Sequence, residues 1–246
     1  HVISDLDIGG AEVMLAKLVA GMDRRRYSNT VVSLIDRGQL GDGIESSGVP
    51  VHCLGMTRGR PDIRAITKLV RILKTVKPHL VQSWLYHADL LSLLAVRFAG
   101  NPPLVWNLRC SDMDLVLYSR QTRRVRRLLS LCSRIPAGVI ANSVAGQTQH
   151  QQLGYRPRCW KIIPNGFDPD RFRPDRIAAS RVRSELRVPD DAILVALVAR
   201  LDPMKDHATF LLAAREVVAA RAGVHLLLIG AGTQSLAAHV AQRARL

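Results

Sequence analysis

The sequence predicts an α/β protein built on parallel sheet. Three observations carry this. Short apolar runs alternate with segments of helical spacing along nearly the whole chain. Turns rich in Gly, Pro, Asn and Asp separate them. The resulting β-α-β-α order, joined by right-handed crossovers, gives a parallel sheet with helices on both faces.

The elements follow in order. Residues 2–4 read as the end of a strand and residues 7–10 as a turn, and residues 11–22 show helical spacing at Val13, Leu15, Leu18 and Val19. Residues 30–35 and 49–54 are strands. Ile63, Ile66, Leu69, Val70, Leu73 and Val76 form the apolar stripe of a helix that Pro78 stops. Residues 79–84, 104–108, 137–142 and 160–163 are strands, with helices over 88–98, 119–133 and 143–153 between them. Ser143 is a natural N-cap for the last of these, because its hydroxyl can accept a free N–H of the first turn.

Pro, Asp, Asn and Gly crowd residues 165–175, which reads as a connector. The expected domains are residues 1–165 and 166–246. In the second, residues 177–186 and 208–218 are helical, and residues 192–198 form a nearly continuous apolar run, as expected of a strand buried on both faces. Residues 224–229 form another strand, followed by Gly230, Gly232 and a final helix.

Bulk properties narrow the function. A hydrophobic content of 48% supplies a real core, and 4% aromatics argues against a stacking platform for single-stranded nucleic acid. The net charge of +15 points to phosphorylated small molecules, an anionic membrane surface or, less well, nucleic acid; a solvated Arg-rich surface is the plain alternative. Cys53, Cys110, Cys132 and Cys159 form no C-x-x-C pair, so neither a zinc site nor a disulfide framework is expected, and reduced thiols fit the cytosol. No apolar stretch reaches the roughly 18 residues that span a bilayer. The chain starts at His1 within an element, with no initiator Met, which reads as a piece of a longer protein.

Three constellations are candidates for chemistry. Gly9 and Gly10 lie between the first strand and its helix, where glycine lets a ligand approach backbone N–H groups at a helix N-terminus. Arg200 ends an apolar strand and Lys205 follows where a helix begins. Two cations at the carboxyl end of a parallel sheet suit a diphosphate, because ligands of open α/β sheets bind in that crevice and Arg forks onto phosphate oxygens. Gly230 and Gly232 follow the last strand and fit either a nucleoside cradle or an ordinary turn.

The order of GGAE at residues 9–12, Trp84 with His87, Asn142 with Ser143, PNGFDPDRF at 164–172, ARLDPMKD at 199–206 and LLLIGAG at 226–232 resembles family 4 glycosyltransferases. The resemblance covers essentially the whole chain, and the pairing of the 164–172 and 199–206 motifs is its most specific part. It implies the GT-B fold: a Rossmann-type sheet domain on the acceptor side, then the start of a second Rossmann-like, nucleotide-sugar-binding domain. It also implies retention of anomeric configuration and no required metal or other cofactor. Arg200 and Lys205 would hold the donor diphosphate and offset leaving-group charge as the catalytic pair. Gly9, Gly10, Gly230 and Gly232 would complete donor binding, and Asn165, Gly166 and Asp168 would lead into the second domain. Many members carry a His near the transferred sugar where this sequence has Asn107, Leu108 and Arg109; that role does not transfer. His87, Asn107, Arg109 and Ser111 are the candidate acceptor-side or sugar contacts. A later E-x-(7)-E element of the family lies outside this sequence, so the chain alone is expected to be inactive.

The function expected is sugar transfer from a nucleoside diphosphate sugar to an acceptor hydroxyl of a glycan or lipid-linked glycan, in polysaccharide or cell-envelope synthesis. One rival is a nucleotide-sugar epimerase of the same architecture, for which no convincing carboxylate pair is visible. The other is a basic module that binds membrane or nucleic acid without chemistry. Arg120, Arg123, Arg124, Arg126, Arg127 and Arg134, with interleaved Val125, Leu128, Leu129 and Leu131, suggest a helix able to lie on an anionic membrane, set against the plainer reading of a solvated Arg face. The expected location is cytoplasmic, with peripheral contact at the inner face of the cytoplasmic membrane.

Overall fold

The structure is a computed structural model that describes residues 1–60, 62–110 and 120–234. The chain divides into two compact units, His1–Gly166 and Phe167–Leu246. The sequence-based boundary falls one residue earlier.

The first unit runs β1 (Val2–Ile3), α1 (Gly10–Gly21), β2 (Val31–Ser33), α2 (Gly41–Ser46), β3 (Val51–Cys53), α3 (Ile63–Val76), β4 (Val81–Trp84), α4 (Tyr86–Val96), β5 (Leu104–Leu108), α5 (Arg120–Cys132), β6 (Gly138–Ala141), α6 (Val144–Gln152) and β7 (Trp160–Ile162). Its seven strands are all parallel, in the order β3-β2-β1-β4-β5-β6-β7. Chain direction across the sheet reverses between β1 and β4. Right-handed crossovers therefore put α1 and α2 on one face and α4 to α6 on the other.

The core shows that two-sided cover directly. Val2 packs into the cluster that holds Leu69, Leu93, Trp106 and Leu129, while its neighbour Ile3 packs into a separate cluster with Leu15, Val19 and Ile44. Consecutive strand residues point to opposite faces, so each must meet its own helical layer. The helix ends match their sequence signals. Asp62 caps α3 by accepting the Arg64 N–H at 2.8 Å, and Ser143 caps α6 by accepting the Gly146 N–H at 3.0 Å.

The second unit contains α7 (Arg176–Glu185), β8 (Ile193–Val198), a 3-10 turn (Pro203–Lys205), α8 (His207–Ala220) and β9 (Val224–Ile229), with β8 and β9 parallel. Here one expectation is overturned. Residues 192–198 were expected to be buried on both faces, yet Val195 is 37% exposed and Val198 72% exposed. A two-stranded sheet has too few neighbours among the described residues to cover either face.

Other differences have local causes. The short helix α2 was not anticipated, because six residues reading GDGIES carry too little apolar periodicity to register. The basic helix α5 does not present all its arginines outward. Val125 and Leu129 are buried, Leu128 and Leu131 are exposed, and Arg126 turns inward so that its Nη1 is buried without a partner among the described residues. The expected final helix lies largely outside the described residues, as does Ser111.

Candidate active site

In a parallel sheet the carboxyl ends of all strands open on one edge. In the first unit, Trp84 of β4 registers with Asn107 of β5, which registers with Ile140 of β6, whose next residue Ala141 registers with Ile162 of β7. The loops beyond these residues therefore share an edge with the loop beyond β1 that bears Gly9 and Gly10. This brings Gly9, Gly10, His87, Asn107, Arg109, Asn142 and Asn165 to one side of the sheet, at the β1/β4 switch point and the strands next to it.

Arg109 ties this edge together. Its guanidinium sits 5.3 Å from the centroid of the Trp84 ring, a cation–π arrangement. Nη1 donates to Asn107 Oδ1 at 3.5 Å and Nη2 donates to Asn165 Oδ1, so one side chain links the ends of β4 and β5 to the loop after β7. Burial pulls its pKa below the ordinary guanidinium value, and its Nε is buried without a partner among the described residues.

His87 lies in the first turn of α4, two residues after a strained residue. Leu85 has φ 73° and ψ 153°, a conformation that is essentially reserved for glycine. The strain is retained because Leu85 is held on both sides: its N–H donates to Asn107 O at 3.4 Å, and its carbonyl accepts the Asp89 N–H at 2.9 Å. Strain of this kind concentrates where a loop must present a side chain in a fixed place. Burial lowers the pKa of His87, which favours a neutral imidazole.

Beneath this edge lies a buried polar cluster that periodicity could not reveal. Tyr86 Oη lies 2.8 Å from His150 Nε2 and 3.3 Å from Cys110 Sγ, and His150 Nδ1 lies 2.7 Å from the Gly146 carbonyl. Asp89 is fully buried and accepts the Ser83 hydroxyl at 2.6 Å. Burial raises the Asp89 carboxyl well above its ordinary value and also raises Tyr86 and Tyr155.

The glycines at the head of α1 separate into two kinds. A Cβ on Gly9 would lie 2.2 Å from Glu12 Oε2, so Gly9 makes room for the buried Glu12 side chain. A Cβ on Gly10 would meet nothing within 4 Å, so that position is open.

In the second unit, the loops after β8 and β9 run side by side. Ala199 N–H donates to Ile229 O at 2.8 Å, and Leu201 N–H donates to Ala231 O at 2.8 Å. Gly230 allows this approach: its φ is 151°, and a Cβ there would lie 2.1 Å from the Ala199 carbonyl oxygen. Gly232 also takes a positive φ, of 83°. Both glycines thus have a structural reason in the turn itself. Arg200 and Lys205 are both exposed, but Arg200 is not free: its Nη2 pairs with Asp202 Oδ2 at 3.2 Å. Asp202 also accepts the Met204 N–H at 3.0 Å, which orders the turn carrying Lys205. Asp202 was missed by the sequence reading, although its place two residues after Arg200 was the available signal. Asp206, in the left-handed conformation, caps α8 by accepting the Thr209 N–H at 3.1 Å. Among the described residues, no group of three His, Cys, Asp or Glu side chains is placed to hold a metal ion.

Comparison with known proteins places this arrangement. The profile of Glycosyltransferase Family 4 matches residues 8–171. A D-inositol 3-phosphate glycosyltransferase of Segniliparus rotundus is 37% identical over 79 residues, which is 32% of this chain and 17% of that protein. The crystal structure of Anabaena Alr3699/HepE in complex with UDP superposes with a TM-score of 0.77 at 25% identity, covering 98% of this chain. This chain spans 64% of that one. A glycosyltransferase from Rickettsia africae superposes with a TM-score of 0.58 at 12% identity, over 93% of this chain and 68% of its own. The fold is thus GT-B-like, with a seven-stranded parallel sheet in the first unit and a two-stranded parallel sheet in the second among the described residues.

Proposed function

This chain belongs to Glycosyltransferase Family 4, and from that premise we propose that the whole protein moves a sugar from a nucleoside diphosphate sugar to an acceptor hydroxyl, with retention of configuration. The observation that carries the reading is the Arg200–Asp202–Lys205 turn at the carboxyl end of β8, two cations braced by one carboxylate beside a helix start. Arg200 and Lys205 hold the donor diphosphate and stabilise its developing charge as the glycosidic bond breaks. Gly230 and Gly232 keep the adjacent turn close. In this reading the two side chains carry the charge-offsetting role, so a chelator leaves turnover unchanged.

On the first unit, Gly10 offers open backbone at the head of α1, and His87, Asn107 and Arg109 present polar groups to the sugar or the acceptor. The acceptor is a glycan or lipid-linked glycan. Alr3699/HepE was crystallised with UDP and with UDP and glucose. UDP-glucose is accordingly the first donor to test. Calorimetric titration of the whole protein with UDP, followed by product analysis with UDP-glucose, decides the matter. Saturable binding and a retained anomeric configuration support the reading; binding of no nucleoside diphosphate sinks it. Release of an epimerised free sugar favours the epimerase instead.

A second reading concerns location. Arg120, Arg123, Arg124, Arg127, Leu128 and Leu131 follow the i, i+3, i+4, i+7 spacing of one helical stripe, and all six are exposed on α5. We propose that this stripe makes peripheral contact with an anionic membrane at the cytoplasmic face, arginines on headgroups and Leu131 at the acyl boundary. No helix among the described residues is long and apolar enough to cross a membrane. Co-sedimentation with anionic but not neutral vesicles, lost when Arg123, Arg124 and Arg127 become Gln, is the expected result.

A further inference from the structure

Between residues 115 and 167 the sequence holds Arg120, Arg123, Arg124, Arg126, Arg127, Arg134, Arg156, Arg158 and Lys161, and not one Asp or Glu. The first unit shapes part of this uncompensated charge into a recess. Arg134, Gln151, Tyr155, Arg156, Arg158 and Trp160 line a concavity of about 760 Å³. Arg134 precedes β6, Gln151 to Arg158 precede β7 and Trp160 is its first residue, so the recess opens on the amino edge of the sheet, opposite the edge that carries Asn107 and Arg109.

The recess is a built feature. Gly154, with φ 92°, turns the chain sharply after α6, and the turn is closed by the Tyr155 N–H donating to His150 O at 2.9 Å. Tyr155 is fully buried, and its ring packs edge-on against Trp106 and His150, which fixes the floor. Arg156 is held in place: its backbone N–H donates to Ser133 Oγ at 2.8 Å, and its Nη1 donates to the Gln151 and Tyr155 carbonyls at 2.6 and 2.9 Å. Arg134 and Arg158 are exposed and make no side-chain hydrogen bond or ion pair with any described residue. One immobilised guanidinium and two uncommitted ones thus converge beside an indole face. Guanidinium donors match phosphate oxygens in pairs, and an indole wall accepts the apolar part of an organic phosphate.

We propose that this recess on the amino edge of the first unit's sheet binds a phosphate group. The phosphate comes either from a soluble ion or ester or from a phospholipid headgroup. Arg134 and Arg158 close on its oxygens, and Arg156 supplies a fixed positive charge behind them.

The full chain is titrated calorimetrically with inorganic phosphate, and by co-sedimentation with vesicles of phosphatidylglycerol in phosphatidylcholine. Saturable binding of at least one probe is expected, weakened tenfold or more in Arg134→Gln/Arg158→Gln. The charge-matched pair Arg64→Gln/Arg71→Gln on α3 keeps the affinity. Phosphate binding that vesicles cannot displace identifies a soluble ligand; vesicle binding that needs the recess pair as well as the α5 arginines identifies a headgroup. If neither probe saturates, or if the recess pair and the α3 pair weaken binding equally, the site does not exist. These outcomes are independent of whether UDP binds.

Discussion

Tyr86 donates its phenolic hydrogen to Nε2 of His150 across 2.8 Å. The direction follows from the other ring nitrogen. His150 Nδ1 lies 2.7 Å from the Gly146 carbonyl, which can only accept, so Nδ1 carries the proton and a neutral ring leaves Nε2 to accept. The Tyr86 oxygen is then free to accept from the Cys110 thiol at 3.3 Å. Tyr86 precedes His87 and Cys110 follows Arg109, so this buried chain sets the register of two loops at the candidate active edge.

Removing the hydroxyl tests that chain. Tyr86→Phe leaves Nε2 of His150 buried without a donor, which should cost about 1–3 kcal/mol. Chemical denaturation of the wild type and variant measures the difference. A change within experimental error would mean that the bond contributes nothing to the fold.

The same pair gives a pH signature. Burial lowers the pKa of His150, so its contribution to stability is complete above the ordinary imidazole value and is lost as pH falls through the depressed folded value. Melting temperature should therefore drop between about pH 7 and pH 5, and the drop should be shallower in His150→Gln. His87 has the same sign and remains in the variant. Asp89, raised by burial, has the opposite sign and is common to both proteins. Parallel melting curves for wild type and variant across that range would contradict a depressed pKa for the buried His150.

Glycine substitutions should separate backbone need from ligand access. Gly230→Ala forces a Cβ against the Ala199 carbonyl at a φ of 151°, and the dihedral alone costs about 1–3 kcal/mol. Gly10→Ala enters open space in a helix and should stabilise by up to about 1 kcal/mol, yet weaken donor binding if backbone approach there matters. Thermal melts and UDP titration of the whole protein read both effects.

Arg109→Lys keeps a charge but loses the guanidinium placed over the Trp84 ring and the double reach to Asn107 and Asn165. A loss of about 1 kcal/mol in stability is expected, with a larger fall in transfer rate. Equal activity in the two proteins would remove Arg109 from the site.

Arg200→Ala and Lys205→Ala should each cost the whole protein roughly 2–4 kcal/mol of transition-state stabilisation, read as kcat/KM. Asp202→Ala should lower stability by about 0.5–2 kcal/mol through the lost Met204 cap. Retention of wild-type transfer by both cation variants would place the diphosphate elsewhere.

The parts legible in the sequence were those that repeat. The stripe from Ile63 to Val76 and the run from Leu104 to Leu108 match α3 and β5 in extent, because their apolar residues meet the core, although the stripe's end residues Ile63 and Val76 are exposed. Contacts between distant residues leave no such pattern. His150 lies 64 residues from Tyr86 and was passed over as part of a polar helix. The strain at Leu85 is equally invisible, since nothing about a leucine announces a glycine-like backbone. Arg126 looked like its neighbours in composition, and only the helical phase turns it toward the buried cluster. At β8 the pattern itself was right for a buried strand, but burial depends on neighbours that a run of apolar letters does not count.

That exposure has a consequence for handling the protein. The β8–β9 pair leaves both outer edges unpaired among the described residues, and Val195, Val198, Leu226 and Ile229 face solvent. The windows Ile193–Val198 and Val224–Ile229 contain no proline and no Asp, Glu, Lys or Arg. Such segments are templates for intermolecular cross-β stacking, since no gatekeeper charge lies within them and no covering strand lies over them among the described residues. A single lysine on the exposed side of either strand is therefore expected to lengthen the colloidal lifetime of this chain in concentrated solution.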